Sequence, residues 1–240
     1  MLVYSAANCT IIHAAGQAHR IRHELASSTR MGYDSRMCRT DLIRCRDSEL
    51  VQIVDAALED SACRSGSWLA CRPGCKQCCI GVFAISQLDA LRLREGMAEL
   101  EKNDPERANR VRRRAQAAVR RLKVRFPGNA STGILAEDED EFENFANDEP
   151  CPALDPETGT CDLYASRPMT CRVFGPPVRS DGGLGVCELC FQGASPEQIA
   201  ACELHAETDE LESMLLKDVE RTTGKHGNTI VAFALRRRAD

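Results

Sequence analysis

The residues of this chain that could do chemistry are its cysteines, which fall into two groups. The first group places four cysteines within nine residues, in CRPGCKQCC, and the second is spread over a longer stretch. The nine positions are Cys71, Cys75, Cys78, Cys79, Cys151, Cys161, Cys171, Cys187 and Cys190. No histidine lies between positions 71 and 190. Thiols at this density are either crosslinked as disulfides or bound to metal.

The start of the chain favours metal over disulfides. It lacks the basic segment, apolar core and small-residue cleavage site of a secretory signal. No stretch approaches the roughly 18 apolar residues of a membrane span. We therefore expect a cytoplasmic protein that is not membrane-bound. Thiols stay reduced in that compartment, so a disulfide-stapled secreted protein is the weaker alternative.

The spacing of the first group suits metal ligation. Cys75 and Cys78 form a CxxC turn that is expected to point two sulfurs at one ion. Arg72 and Lys76 would favour the thiolate, which is the form that binds metal. Because the adjacent Cys78 and Cys79 should point apart, they suit two metal centres, or one multi-iron cluster and a neighbour.

The second group contains a turn and a further CxxC pair. The sequence DPETG between Cys151 and Cys161 is a strong turn signal, and a hairpin there would place these cysteines almost opposite each other. Cys187 and Cys190 form the CxxC pair. All-sulfur coordination predicts zinc or an iron–sulfur cluster as the cofactor, and spacing does not separate the two.

Two arginines flank one of these cysteines. Arg167 and Arg172 lie on either side of Cys171 and could hold an anionic substrate or a cofactor carboxylate. The alternative is that they neutralise the negative charge of the thiolates and bond nearby carbonyls.

The pattern around the cysteines predicts a mainly helical α+β fold with short strands and an irregular cysteine-rich centre organised by metal. Ser86 with Asp89, Asp104-Pro105 and Ser195-Pro196 are helix-start signals. Residues 229–235, TIVAFAL, predict a final strand, with a short buried helix as the alternative. Helices are predicted near 48–64, 86–102, 104–126, 195–206 and 208–222.

Composition sets the remaining expectations. Residues 1–46 predict a poorly ordered extension, and residues 47–240 a single metal-binding domain. Only 5% of residues are aromatic, so bound metal would compensate for a thin core. The formal charge of −5 argues against nucleic acid as a partner. The arginine-rich face of the 104–126 helix is interpreted as a solvated surface, or one paired with the acidic residues at 137–143.

Two stretches resemble a known family. CRPGCKQCC and CPALDPETGTCDLYASRPMTCRVF are similar to the YkgJ-type cysteine-cluster family, the CxxCxxCC zinc- or iron-chelating domain. The resemblance covers roughly 69–190 and implies about eight ligating cysteines, with either Cys187 or Cys190 as the eighth. Three residues separate Cys71 from Cys75, where the family name implies two.

Two functions stay open from the sequence. One is a redox or group-transfer enzyme with an iron–sulfur centre: the resemblance implies an iron–sulfur oxidoreductase, and a branch of the family contains protein lysine N-methylases. The other is a non-enzymatic, metal-stabilised module that binds another protein. No glycine-rich cofactor loop or catalytic triad supports the enzyme, so its catalytic residues are unassigned.

Overall fold

The computed structural model describes residues 38–136, 142, 144–180 and 182–236, and helices predominate in them. The helices are α1 (Arg39–Ser65), α2 (Gln87–Asn103), α3 (Pro105–Leu122), α4 (Met169–Val173), α5 (Pro196–Ala200), α6 (Asp209–Thr223) and α7 (Val231–Leu235). Two antiparallel sheets have two strands each: β1 (Gly128–Asn129) with β2 (Ile134–Leu135), and β3 (Val178–Ser180) with β4 (Gly183–Gly185). The predicted mainly helical α+β class is confirmed.

Local capping explains where three helices begin. At α2 the Ser86 side chain accepts the Asp89 N–H, while the Asp89 carboxylate accepts the Ser86 N–H. A second such box opens α5, at Ser195. At α3 the Asp104 carboxylate accepts the Arg107 N–H. These contacts satisfy N–H groups that have no partner inside the helix, so the predicted starts are confirmed.

Three helix ends differ from their predicted positions. Helix α1 begins at Arg39, ahead of the predicted start near 48, and carries the buried Ile43 before Leu50 on its inner face. Helix α3 ends at Leu122 rather than near 126. Helix α5 ends at Ala200 rather than 206, because the chain turns away and the Leu204 N–H bonds the Pro177 carbonyl at 2.8 Å.

The predicted strand over 229–235 is wrong. Thr229 forms one isolated bridge with Ile85, and the chain then turns into helix α7. Residues 232–235 of this helix are all buried, so they show no alternation between a buried and an exposed face. A short apolar run of this kind does not separate a strand from a buried helix by pattern alone.

The core lies where α2, α3 and α7 pack together. Its buried residues include Leu93, Met97, Val111 and Leu235. A neighbouring aromatic cluster joins Phe126 to the Phe145 and Phe233 rings, at centroid distances of 6.0 and 4.5 Å. The described elements from Ile43 onward belong to one unit.

Some sequence predictions fall on residues outside the described ranges. Residues 1–37 and most of the acidic stretch, 137–141 and 143, are among them. The domain division and the pairing of that stretch with the arginine face therefore stay predictions. Among the described helices, none combines the length and apolar character needed to cross a membrane.

Candidate metal centre

The two cysteine-bearing segments meet through their backbones. The Cys151 N–H bonds the Cys79 carbonyl at 2.8 Å, and the Gly81 N–H bonds the Glu149 carbonyl at 3.0 Å. Ile80 and Pro150 form an antiparallel bridge between these two bonds. The structure therefore places the first cysteine group directly against the start of the second.

Four of the sulfurs lie near one another, and we call them group A: Cys71, Cys75, Cys187 and Cys190. Burial, and then the neighbouring Cys190 sulfur, raises the pKa of Cys187. The Ala70 N–H donates to the Cys190 sulfur, at 3.4 Å. Burial, then the neighbouring Cys190 and Cys75 sulfurs, raises the pKa of Cys71 to about 12. Group A thus takes two sulfurs from the first segment and both from the later CxxC pair.

Close backbone packing holds the segments of group A together. The Phe191 N–H bonds the Trp68 carbonyl at 2.9 Å, and the Cys187 N–H bonds the Gly175 carbonyl at 3.4 Å. Gly175 has φ +127°, and a Cβ there would lie 2.6 Å from the Cys71 sulfur. A side chain at position 175 would therefore displace Cys71.

The remaining five sulfurs form group B: Cys78, Cys79, Cys151, Cys161 and Cys171. Cys78, Cys151 and Cys171 line one cavity. Cys151 and Cys161 both pack against the α2–α3–α7 core. Burial raises the pKa of Cys151 to about 12 and raises that of Cys161, and the nearby Cys78 sulfur raises both further. Group B therefore brings together Cys78 and Cys79 of the first segment, the two cysteines of the hairpin, and Cys171 of α4.

One thiol of group B is unusually acidic. A hydrogen bond from the Cys79 thiol lowers the pKa of Cys78 to about 7, against the opposing effect of burial, and the charge of Arg167 lowers it further. The same hydrogen bond raises the pKa of Cys79. Cys78 is thus the sulfur of group B that carries negative charge most readily near neutral pH.

The grouping separates two sulfurs that the CxxC pattern predicted would face one ion. Cys75 neighbours Cys71 and Cys187, whereas Cys78 neighbours Cys151, Cys161 and Cys171. A 3₁₀ turn over Gln77–Cys79 lies at this point and rotates the chain. Both Cys187 and Cys190 belong to group A, so the pair supplies two sulfurs to it rather than one.

The predicted hairpin between Cys151 and Cys161 is present with a different register. The Asp155 N–H bonds the Thr160 carbonyl at 2.8 Å, and Leu154, not Cys151, lies opposite Cys161. A tight turn, in which the Leu154 N–H bonds the Cys151 carbonyl at 3.0 Å, carries Cys151 away from the paired position.

A buried carboxylate that follows the hairpin ties it to helix α3. Asp162, whose side chain is 1% exposed, pairs with both Arg107 and Arg114 of α3. Arg114 also donates to the Pro152 carbonyl at 2.8 Å. Sequence reasoning did not find this role, because the arginines looked like part of a solvated face.

The two predicted cofactor-binding arginines are engaged within the protein. Arg172 is buried and bonds the Asp55 carboxylate at 2.6 and 2.8 Å and the Ala165 carbonyl at 2.8 Å. Its buried Nε has no hydrogen-bond partner among the described residues. Arg167 stacks on the Tyr164 ring, 4.0 Å from its centroid, and donates to the Tyr164 carbonyl at 3.0 Å. Both arginines thus bond nearby carbonyls, and the charge of Arg172 is paired with that of Asp55.

The donor set fits zinc or iron. All nine cysteines of groups A and B have free thiols, and soft sulfur donors suit these metals. Over residues 38–136, 142, 144–180 and 182–236, no three histidine, cysteine or acidic side chains are already placed to hold one metal ion. Metal binding would therefore draw the thiols of a group together.

Comparison with known proteins identifies the cysteine-bearing part of the chain. The family model CxxCxxCC, described as "Putative zinc- or iron-chelating domain", matches residues 70–190. This span contains every cysteine of groups A and B. No curated protein and no solved structure matches the chain.

Proposed function

Because the chain belongs to the CxxCxxCC family of zinc- or iron-chelating domains, we propose that groups A and B bind the metal as thiolates and that this metal stabilises a module for binding another protein. The observation that supports this proposal best is the backbone contact between Cys79 and Cys151, which brings the two cysteine segments together. A metal held by both segments would join parts of the chain that are far apart in sequence.

The energetics favour a stabilising role for the metal. A structural thiolate site contributes about 10–16 kcal/mol of apparent binding energy, whereas a whole domain has a net stability of about 5–15 kcal/mol. The segments that carry the cysteines are mostly loops and short turns rather than long helices. Metal is therefore expected to contribute much more to the stability of this part of the chain than to the stability of the helical core.

The cavity beside group B supports a module over an enzyme with a polar substrate. It measures about 30 Å³ and is lined mainly by apolar residues, among them Val82, Phe83 and Ile230. That volume holds only one or two water molecules. Although Glu149 is among the lining residues, this volume leaves no room for a polar substrate.

A second candidate function is electron transfer through an iron–sulfur cluster. The charge of Arg167 helps to lower the pKa of Cys78 and offsets part of the rise that burial causes in the pKa of Cys161. Bound iron–sulfur clusters supply one-electron chemistry, and a nearby cation would stabilise the added electron. This candidate accounts for Arg167 without requiring a substrate pocket.

Anaerobic purification followed by metal and sulfide analysis distinguishes the two candidates. A colourless protein with bound zinc supports the stabilised module, and a brown protein with stoichiometric iron and sulfide supports electron transfer.

Two substitutions test the site, with a matched control. Cys75→Ser and Cys161→Ser should lower metal content, whereas Cys45→Ser, at an exposed cysteine outside both groups, should leave it unchanged. Wild-type metal content in both site variants would contradict the ligand assignment.

A further inference from the structure

We propose that the chain binds two separate metal centres of four thiolates each, and that the ninth cysteine, Cys79, is not a ligand. Centre A comprises Cys71, Cys75, Cys187 and Cys190, and centre B comprises Cys78, Cys151, Cys161 and Cys171. The inference rests on the proposed metal binding and deepens it, since it assigns each cysteine to a centre.

The two groups lie in different packing environments. Cys187 and Cys190 belong to an apolar cluster with Trp68 and Phe174. Cys151 and Cys161 instead pack against the core of α2, α3 and α7. A tetrahedral site takes four ligands at about 2.3 Å from the ion, so sulfurs in separate clusters do not share one ion.

The chain turns at the boundary between the two groups. Only Lys76 and Gln77 separate Cys75 from Cys78. Cys78 lines the cavity that Cys151 and Cys171 also line, and Cys75 is not among its lining residues. The N–H of Cys79 bonds the Lys76 carbonyl at 2.8 Å, and this turn redirects the chain between the two positions. The first segment can therefore supply ligands to both centres.

Cys79 is engaged through its backbone. Its carbonyl accepts the Cys151 N–H, and its own N–H donates to the Lys76 carbonyl. Cys78, Cys151 and Cys171 line one cavity, and Cys79 is not among the residues that line it. Cys79 therefore supports the junction of the two cysteine segments without turning its sulfur towards the other three. The proposal therefore departs from the sequence prediction, in which Cys79 was a ligand.

The test is an anaerobic titration of the metal-free, reduced full-length chain with Co²⁺ alone, followed by thiolate-to-cobalt absorption. The wild type should saturate at two equivalents. Saturation at one equivalent would overturn the two-centre inference and leave the proposed metal binding intact. Absence of any cobalt–thiolate band would overturn both.

Three variants then assign the centres. Cys187→Ser should lose centre A and Cys161→Ser should lose centre B, each leaving one equivalent. Cys79→Ala should still bind two, and a fall to one would show that Cys79 is a ligand.

A measurement on the wild type alone guards against variants that do not fold. Centre A combines the exposed Cys71 with the buried Cys187 and Cys190, whereas all four cysteines of centre B are half-buried. Because the two environments differ, chelator should remove cobalt in two phases of equal amplitude. A single phase would contradict two inequivalent centres.

Discussion

The pairing of Asp162 with helix α3 offers the sharpest test of how the cysteine hairpin is held. Asp162→Asn keeps the size of the side chain but removes the charge that Arg107 and Arg114 share. The substitution leaves two guanidinium groups facing a neutral amide in place of a carboxylate. We expect the protein to fold with its metal bound but with reduced stability.

The size of this loss follows from the burial of the three groups. Breaking a buried ion pair costs about 3–5 kcal/mol when the remaining charge stays buried. Here Asp162 is 1% exposed, but the Arg107 and Arg114 side chains are 37% and 23% exposed and can partly reach water. Arg114 also keeps its bond to the Pro152 carbonyl. We therefore expect a loss of about 2 kcal/mol in the free energy of unfolding.

Thermal unfolding of the metal-loaded protein measures this loss. For a chain of this size, about 2 kcal/mol corresponds to a fall of about 4–8 °C in Tm. The control is Asp60→Asn, which removes an exposed pair with Arg64 whose side chains are 69% and 34% exposed. It should cost about 0.5 kcal/mol or less. If Asp162→Asn costs no more than this control, Asp162 does not anchor the hairpin as argued.

Three further predictions concern packing, metal removal and proton release. Gly96→Ala should destabilise the protein by about 1–2 kcal/mol, because its Cβ would overlap the Ser166 side chain. In a Ser166→Gly background that overlap is removed. The same change should then stabilise α2 by about 1 kcal/mol, because alanine favours a helix more than glycine does. Urea titrations of the four proteins check this reversal, and the same sign in both backgrounds would refute it. Chelation under reducing conditions should lower Tm and remove near-ultraviolet dichroism from the cysteine-rich centre, and an unchanged melt would mean that metal does not stabilise this region. Zinc binding at neutral pH should release about one proton from each of Cys71 and Cys151, because burial raises the pKa of both thiols to about 12. Cys78, whose pKa is lowered to about 7, should release less. The apparent affinity should therefore rise with pH. Calorimetry in buffers of different ionisation enthalpy measures the released protons, and no release would mean that the thiols were already ionised.

Local features of the sequence predicted the helical class, the helix starts and the chemistry of the site. The caps at Ser86, Asp104 and Ser195 depend on contacts within one turn, so the residue types nearby are sufficient to identify them. The all-cysteine donor set likewise indicated zinc or iron before any geometry was known. These properties depend on residue identity and short spacing, which the sequence contains in full.

Tertiary packing decided the features that depend on partners distant in the chain. Residues 232–235 are all buried in helix α7, and their apolar character alone does not specify whether a helix or a strand buries them. Arg107 and Arg114 of α3 pair with Asp162 because the hairpin packs beside them. Arg112 and Arg121 of the same helix pair instead with Glu101 and Glu149. Cys75 and Cys78 belong to different groups for the same reason. Their spacing keeps them close in the sequence, but the cysteines of residues 151–190 that pack near each of them determine which group each sulfur joins.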